Sequence, residues 1–266
     1  MNNSYFRTPI MTQFARFPSL QDRPVVISGG ASGIGEALVR NFAAQGAKVG
    51  FVDIAEEAGE RLAAELTAQG QTVRFTPCDV IDIKGYTSAI AGFAQAHGDA
   101  LVLVNNAAHD QRHKWEEVTP EYWDNRIAVN LKHYFFAIQA VAPGMIKAGG
   151  GSIINFSSIS WMVMSPGIPV YETAKAAAHG LTRSMARELG QSRIRVNTLS
   201  PGWVMTERQK ALWLNAEAEA QLERDQALAG RVQPDDCARM ALFLASDDAG
   251  MISAQQFLVD GGWANV

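Results

Sequence analysis

The sequence predicts an α/β fold in one domain, a seven-stranded parallel sheet with helices on both faces. Short β-rich apolar runs alternate with longer stretches of helical periodicity, the pattern of strand–helix–strand units. The first apolar run ends in a cluster of glycines that opens directly into a helical stretch. The second ends in an acid.

Taken in order, Pro24-Val25-Val26-Ile27-Ser28 is the first strand, 24–28, and Gly29-Gly30-Ala31-Ser32-Gly33-Ile34-Gly35 is the turn after it. Gly29 permits a tight turn. Gly33 and Gly35 carry no Cβ that would hold a pyrophosphate or the strand away. A helix over 33–45, stopped at Gly46, presents free N–H groups and a positive dipole end beside Ser32 and Ile34, which suits phosphate. The spacing is G-x-x-x-G-x-G rather than G-x-G-x-x-G. Strand 48–52 follows and delivers Asp53 about 20 residues past the turn, where a carboxylate accepts hydrogen bonds from ribose hydroxyls. This opening reads as a Rossmann-type dinucleotide-binding unit. Asp53 would repel a 2′-phosphate, and Ser32 is small and neutral, so NAD is the expected cofactor and NADP the weaker one.

Beyond it the sequence predicts helix 55–69, strand 72–76, helix 82–97, strand 101–104, helix 120–147, strand 152–156, helix 170–190, strand 194–198, helix 234–245 and strand 256–259. Thr119 as N-cap and Pro120 at the first helical position open the long helix, and Gly149-Gly150-Gly151 closes it. Residues 205–230, charged and Ala-rich between Gly202 and Gly230, read as one or two mobile helices forming a substrate lid. Residues 1–22 read as an N-terminal arm or oligomer contact, and 23–266 as the domain. With 47% hydrophobic residues among 266, the chain can bury a large core. A net charge of −4 with scattered basic residues gives no reason to invoke nucleic acid or an anionic membrane. No stretch approaches the roughly 20 apolar residues of a membrane span, and the first 22 residues lack a continuous apolar signal core. The cytoplasm is the expected compartment. Cys78 and Cys237 are expected to be buried thiols rather than a disulfide. His109, His113 and His133 do not form a metal-ligating set.

Tyr171 and Lys175 lie one helical turn apart and share a face. An ammonium beside a phenol favours the phenolate and is expected to lower its pKa from about 10. Ser158 ends the apolar run Ser152 to Ser158, at the strand tip where open α/β sheets bind ligands. A hydroxyl, a phenol and an ammonium meeting there could move a proton on or off an alcohol oxygen.

With these residues in place, the chain resembles the short-chain dehydrogenase/reductases from about Ser19 to its C-terminus. The matching residues are Ser28-Gly29-(x)3-Gly33-Ile34-Gly35, Asp79-Val80, Asn105-Asn106-Ala107, Asn130, Ser158, Tyr171-x-x-x-Lys175 and Pro201-Gly202-x-x-x-Thr206. Ser28 stands where the family usually has Thr, and Ala108 where it usually has Gly. The resemblance implies that Tyr171 is the base and that Ser158 orients the reacting oxygen. It implies that Lys175 also holds the nicotinamide ribose and that Asn130 holds a water linking Lys175 to solvent. Asp79 and Val80 would meet the adenine, Asn106 and Ala107 the riboses, and Pro201, Gly202, Val204 and Thr206 the nicotinamide. Relatives are commonly homotetramers.

The loops expected around the substrate are polar and carry two indoles: Ala108 to Lys114, Ile159-Ser160-Trp161 and Trp203 to Gln209. Aromatic faces with carboxylate, amide and guanidinium groups suit a sugar better than an acyl chain. Asp110-x-Arg112-His113-Lys114, Asn155 to Trp161, Tyr171 to Lys175 and Thr206-x-Arg208-Gln209 look like the bacterial aldose 1-dehydrogenases of this superfamily, the D-xylose and L-arabinose group. That likeness implies NAD-dependent oxidation of a free pentose at C1 to the lactone, with Asp110, Asn155, Ser158, Trp161, Tyr171, Trp203 and Gln209 as candidate sugar contacts. The alternatives are a reductase for a 3-oxoacyl or simple ketone substrate, and a non-catalytic NAD-binding protein.

Overall fold

In a computed structural model of the chain, which describes residues 14–264, the sheet order is β3-β2-β1-β4-β5-β6-β7 with every pairing parallel. The strands are β1 Pro24–Ser28, β2 Lys48–Asp53, β3 Val73–Pro77, β4 Val102–Asn105, β5 Gly151–Phe156, β6 Ile194–Pro201 and β7 Gln256–Val259. The helices are α1 Gly33–Ala44, α2 Glu56–Ala68, α3 Ile83–His97, α4 Pro120–Ile127, α5 His133–Ala148, α6 Ser160–Val163, α7 Pro169–Leu189, α8 Glu207–Leu212, α9 Ala216–Asp225 and α10 Pro234–Ala245. The expected seven-stranded parallel α/β architecture is therefore present, and its strands are near-continuous apolar runs because both faces are covered. Alternate residues feed two cores. Val25 and Ile27 of β1 join Val49, Phe51 and residues of α1 and α10 on one face. Val26 joins Leu103, Ile153 and residues of α3 and α5 on the other.

Two expectations are corrected. The stretch 120–147 is not one regular helix. A π-helical segment, Ala128–Lys132, separates α4 from α5 and carries Asn130, the kind of irregularity that gathers at functional sites. The supposed arm is docked where it is described. A 3-10 turn, Pro18–Leu20, buries Leu20 completely, Phe17 packs on Phe243 of α10, and its N–H donates to Gln45 Oε1 at 2.9 Å. Residues 1–13 of the arm lie outside the described residues. The lid stretch folds as α8 and α9. Among the described residues no helix is long and apolar enough to cross a membrane. The order of strands reverses between β1 and β4, so the C-terminal tips of these two diverge and leave a crevice.

Candidate active site

At that crevice the tips of β1 and β4 are stapled together. Ser28 Oγ accepts from the N–H groups of Asn106 and Ala107, both at 3.1 Å, and Asn106 Nδ2 donates to the carbonyls of Ser28 and Gly29, both at 3.0 Å. Asn106 was expected to meet a cofactor. Its side-chain Nδ2 holds the glycine turn. Gly29 sits at φ +70°, and a Cβ there would lie 2.8 Å from Ala107 Cα. At Gly35 a Cβ would lie 1.7 Å from the Gly29 carbonyl oxygen, so only glycine lets α1 approach the turn.

The residues present fit a dinucleotide. Ser32, the N-cap of α1, makes no side-chain capping bond, so it leaves the first N–H groups of the helix to a phosphate. Asp53 Oδ2 accepts from Ala31 N–H and Oδ1 from Ala55 N–H, both at 2.9 Å. Each oxygen keeps a lone pair for a ribose hydroxyl. Ile54 beside it is 75% exposed, a large apolar side chain that an adenine would cover, and no sequence pattern flagged it. Asp79 is exposed and holds Ile81 N–H at 3.0 Å, with Val80 buried behind it. Across the crevice Pro201 and Val204 are buried, and Gly202 N–H is held by the Val259 carbonyl at 2.9 Å. Thr206 caps α8 by accepting from Gln209 N–H at 3.2 Å, and its Cγ2 lies 3.0 Å from where Gly33 would carry a Cβ.

Ser158, Tyr171 and Lys175 form a second cluster. Pro169 starts α7, and one turn of that helix separates Tyr171 from Lys175. Lys175 is 1% exposed. Its ammonium donates to Tyr134 Oη and to the Phe156 carbonyl, both at 2.9 Å, and lies 5.6 Å from the centre of the Tyr171 ring. Burial pulls the Lys175 pKa down to about 7, with the Asp110 carboxylate opposing. The expectation of a lowered Tyr171 pKa is not met. Burial and then the Asp110 charge push the phenol above its ordinary range, and only a hydrogen bond with Ser158 pulls it back. The Ser158 hydroxyl also accepts from Ser160 N–H at 3.1 Å, which fixes it at the strand tip. Ser157 Oγ donates to the Lys175 carbonyl at 2.6 Å and accepts from Trp161 Nε1 at 3.2 Å, tying α7 to the loop after β5.

Asn130 is fully buried, and its amide bonds protein through both its oxygen and its nitrogen. It accepts from His109 N–H at 2.8 Å and donates to the carbonyls of His109 and Arg126, at 3.2 and 2.9 Å. Its side chain therefore positions the loop after β4. Asn155 is corrected. It lies inside the sheet, accepting from Asn105 and donating to Thr182, at 2.9 and 3.0 Å, and does not face a substrate.

The substrate side is closed by a polar clasp. Gln209 Nε2 donates to Asp110 Oδ2 at 2.6 Å, and Arg208 pairs with Asp110 Oδ1 at 3.0 Å, joining α8 to the loop after β4. Arg112 lies 4.6 Å over the Trp213 ring and donates to the Pro166 carbonyl at 3.0 Å. Trp203 is half-buried, and its indole N–H is buried without a partner. His109 faces Arg126 and His113 faces Tyr122, and among the described residues no three His, Cys, Asp or Glu side chains converge as a metal site. Both cysteines are free, Cys237 buried as expected and Cys78 only half-buried. Tyr134 went unrecognised in the sequence. Four residues past Asn130 in an apolar helical run, it carries no signal that separates it from core.

Comparison with known proteins agrees with this architecture. A family model described as enoyl-(acyl carrier protein) reductase matches residues 29–264. A D-xylose 1-dehydrogenase of Caulobacter vibrioides is 48% identical over 249 residues, covering 94% of this chain and 98% of that one. A probable galactose dehydrogenase of Rhizobium meliloti is 47% identical over 249 residues, covering 93% and 97%. Among solved structures, a blue fluorescent protein from a metagenomic library in complex with NADPH superposes with a TM-score of 0.86 at 30% identity, covering 93% and 100%. The chain belongs to the short-chain dehydrogenase/reductase family of oxidoreductases, whose fold binds a nicotinamide cofactor.

Proposed function

We propose that this enzyme oxidises a free cyclic aldose, a pentose such as L-arabinose or D-xylose, at C1 to the aldonolactone with NAD. The observation that carries this reading is the placement of a polar clasp, Asp110 with Gln209 and Arg208, over the Ser158–Tyr171–Lys175 cluster. A many-hydroxyl substrate suits that rim, and the two sugar dehydrogenases at 47–48% identity support it. Ser158 orients the C1 hydroxyl and Tyr171 takes its proton. The Lys175 ammonium stabilises the phenolate that the proton's departure leaves. Bound oxidised nicotinamide supplies the hydride acceptor and a positive charge that favours that phenolate. Trp161 and Trp203 offer ring faces to the sugar's C–H surfaces.

NAD is favoured over NADP because Asp53 would meet a 2′-phosphate with a like charge. Asp53, Asp79, Val80 and Ile54 form the adenosine side, with the glycine turn and the start of α1 under the pyrophosphate. Thr206, Val204, Gly202 and Pro201 form the nicotinamide side, beside Ala107. A homo-oligomer, a tetramer as in many relatives, is supported by apolar side chains left at the surface, Phe135 at 43% exposure on α5 and a half-buried edge strand β7 with Trp263. The cytoplasm remains the proposed compartment.

NAD reduction by the purified protein over L-arabinose, D-xylose, D-galactose, D-glucose and L-rhamnose tests the reading. One pentose should be oxidised fastest, and Tyr171→Phe should lose at least about 1000-fold in kcat while still binding NAD. Silence on every sugar with NAD binding retained would move the assignment to a ketone or acyl substrate, assayed in reverse with NADH.

A further inference from the structure

Tyr134 is a fully buried phenol that the reaction as described leaves unused. Its hydroxyl donates to the Phe156 carbonyl at 2.9 Å. That leaves its lone pairs free, and one receives an N–H of Lys175 at 2.9 Å. Lys175 donates to the same Phe156 carbonyl at 2.9 Å, so ammonium, phenol and carbonyl close a triangle. Two corners are rigid. Phe156 ends β5, paired with Leu199 of β6, and the Tyr134 ring packs edge-on against His133, with centroids 4.6 Å apart. The third corner is the tip of a flexible four-carbon stem.

We propose that Tyr134 is a positioning residue, whose hydroxyl pins the Lys175 ammonium beneath Tyr171 and leaves one ammonium N–H for the reacting site. This deepens the proposed function and rests on its reading of Tyr171 and Lys175. With Phe156 as the single remaining acceptor, the ammonium would sit less defined beneath the ring that it must influence. The titratable groups around it are few. Tyr171 lies on its own helix, His133 on α5, Asp110 on the loop after β4, and Tyr86 of α3 behind Tyr134. His133 is neutral, held down to about 3 by burial, and gives its Nε2 to the Ala107 carbonyl at 3.2 Å. Among the described residues, Tyr134 and Phe156 are the groups that accept from the ammonium.

An acceptor favours the charged form of its donor. Removing the hydroxyl should lower the protonation midpoint of Lys175, and a less protonated Lys175 should raise that of Tyr171. The test is carbon NMR of protein labelled at lysine Cε, titrated from pH 5 to 10, with the Lys175 signal identified by its loss in Lys175→Arg. In Tyr134→Phe the midpoint is expected to fall by roughly one pH unit. In the sugar assay, the rising limb of kcat against pH should move upward. At pH 7 kcat should fall about 10-fold, with sugar KM changed less than about 3-fold. Should Tyr134→Phe not fold, 3-fluorotyrosine at position 134 keeps the ring and weakens the acceptor, and a smaller shift in the same direction is expected. An unmoved Lys175 midpoint in a folded variant overturns the proposal, whatever happens to its melting temperature. Failure of the aldose reading shows separately, as wild-type protein that oxidises no sugar, and leaves the NMR titration able to decide the role of Tyr134.

Discussion

Asp53 ties down the N–H groups of Ala31 and Ala55, and each oxygen keeps a lone pair for the ribose of the proposed NAD. Asp53→Ser removes the charge and weakens the turn. The ratio of kcat/KM for NAD over NADP is expected to fall about 10- to 100-fold, measured with saturating sugar, most of it through lost NAD binding and relieved repulsion of the 2′-phosphate. An unchanged ratio would remove Asp53 from cofactor choice. This residue was legible in the sequence because its position follows from strand, turn, helix and strand counted in order. So were Tyr171 and Lys175, since one helical turn fixes their common face. The asparagines were not. Asn106, Asn130 and Asn155 have the side chain of a ligand contact, but each bonds protein groups far away in sequence, which no local pattern shows. Tyr134 was hidden for the opposite reason, since a phenol in an apolar helical run looks like core until its hydroxyl has a partner.

At the scale of elements, α8 is tied to the loop after β4 through Asp110. Asp110 receives Gln209 and Arg208 of α8, while its charge also raises the Tyr171 phenol and supports the Lys175 ammonium. Asp110→Asn keeps an acceptor but cancels the charge, and Asp110→Ala removes both. The Ala variant is expected to raise sugar KM about 5- to 20-fold and to speed tryptic cleavage after Arg208 and Lys210, because the lid loses its anchor. The Asn variant is expected to shift the rising limb of kcat toward lower pH, opposite in sign to the loss of the Tyr134 hydroxyl, since Tyr171 loses a like-charged neighbour. A limb that stays in place would mean that Asp110 acts on the lid alone. The sequence revealed the strands and the helix starts to within a residue or two, because apolar runs, Pro and Gly punctuate them, except that β6 runs three residues past its expected end, to Pro201. It did not reveal the π-helical segment at Asn130. Periodicity continues smoothly through a single wide turn, which packs on α7 and whose Asn130 bonds the loop after β4.

Over the whole molecule, the site is a source of instability that the two cores support. Lys175 is a cation almost wholly removed from water, with its pKa drawn from an ordinary 10.5 to about 7 by burial. Below pH 7 the folded protein carries the full cost of the buried charge. Between about 7 and 10.5 it binds fewer protons than the unfolded chain, so this group makes stability rise with pH across that window. Above it both states are neutral at this position, and the cost is gone. Replacing Lys175 with Met keeps most of the volume and removes the charge, and the Phe156 carbonyl keeps its bond from Tyr134. Lys175→Met is therefore expected to be inactive and more stable than the native protein at pH 6.5, by roughly 3 kcal/mol, from urea unfolding. The gain should shrink steadily at pH 8 and pH 9.5. A gain that does not change with pH would place its origin in packing, and a loss at every pH would mean that the triangle around Lys175 holds the fold together as well as the reaction.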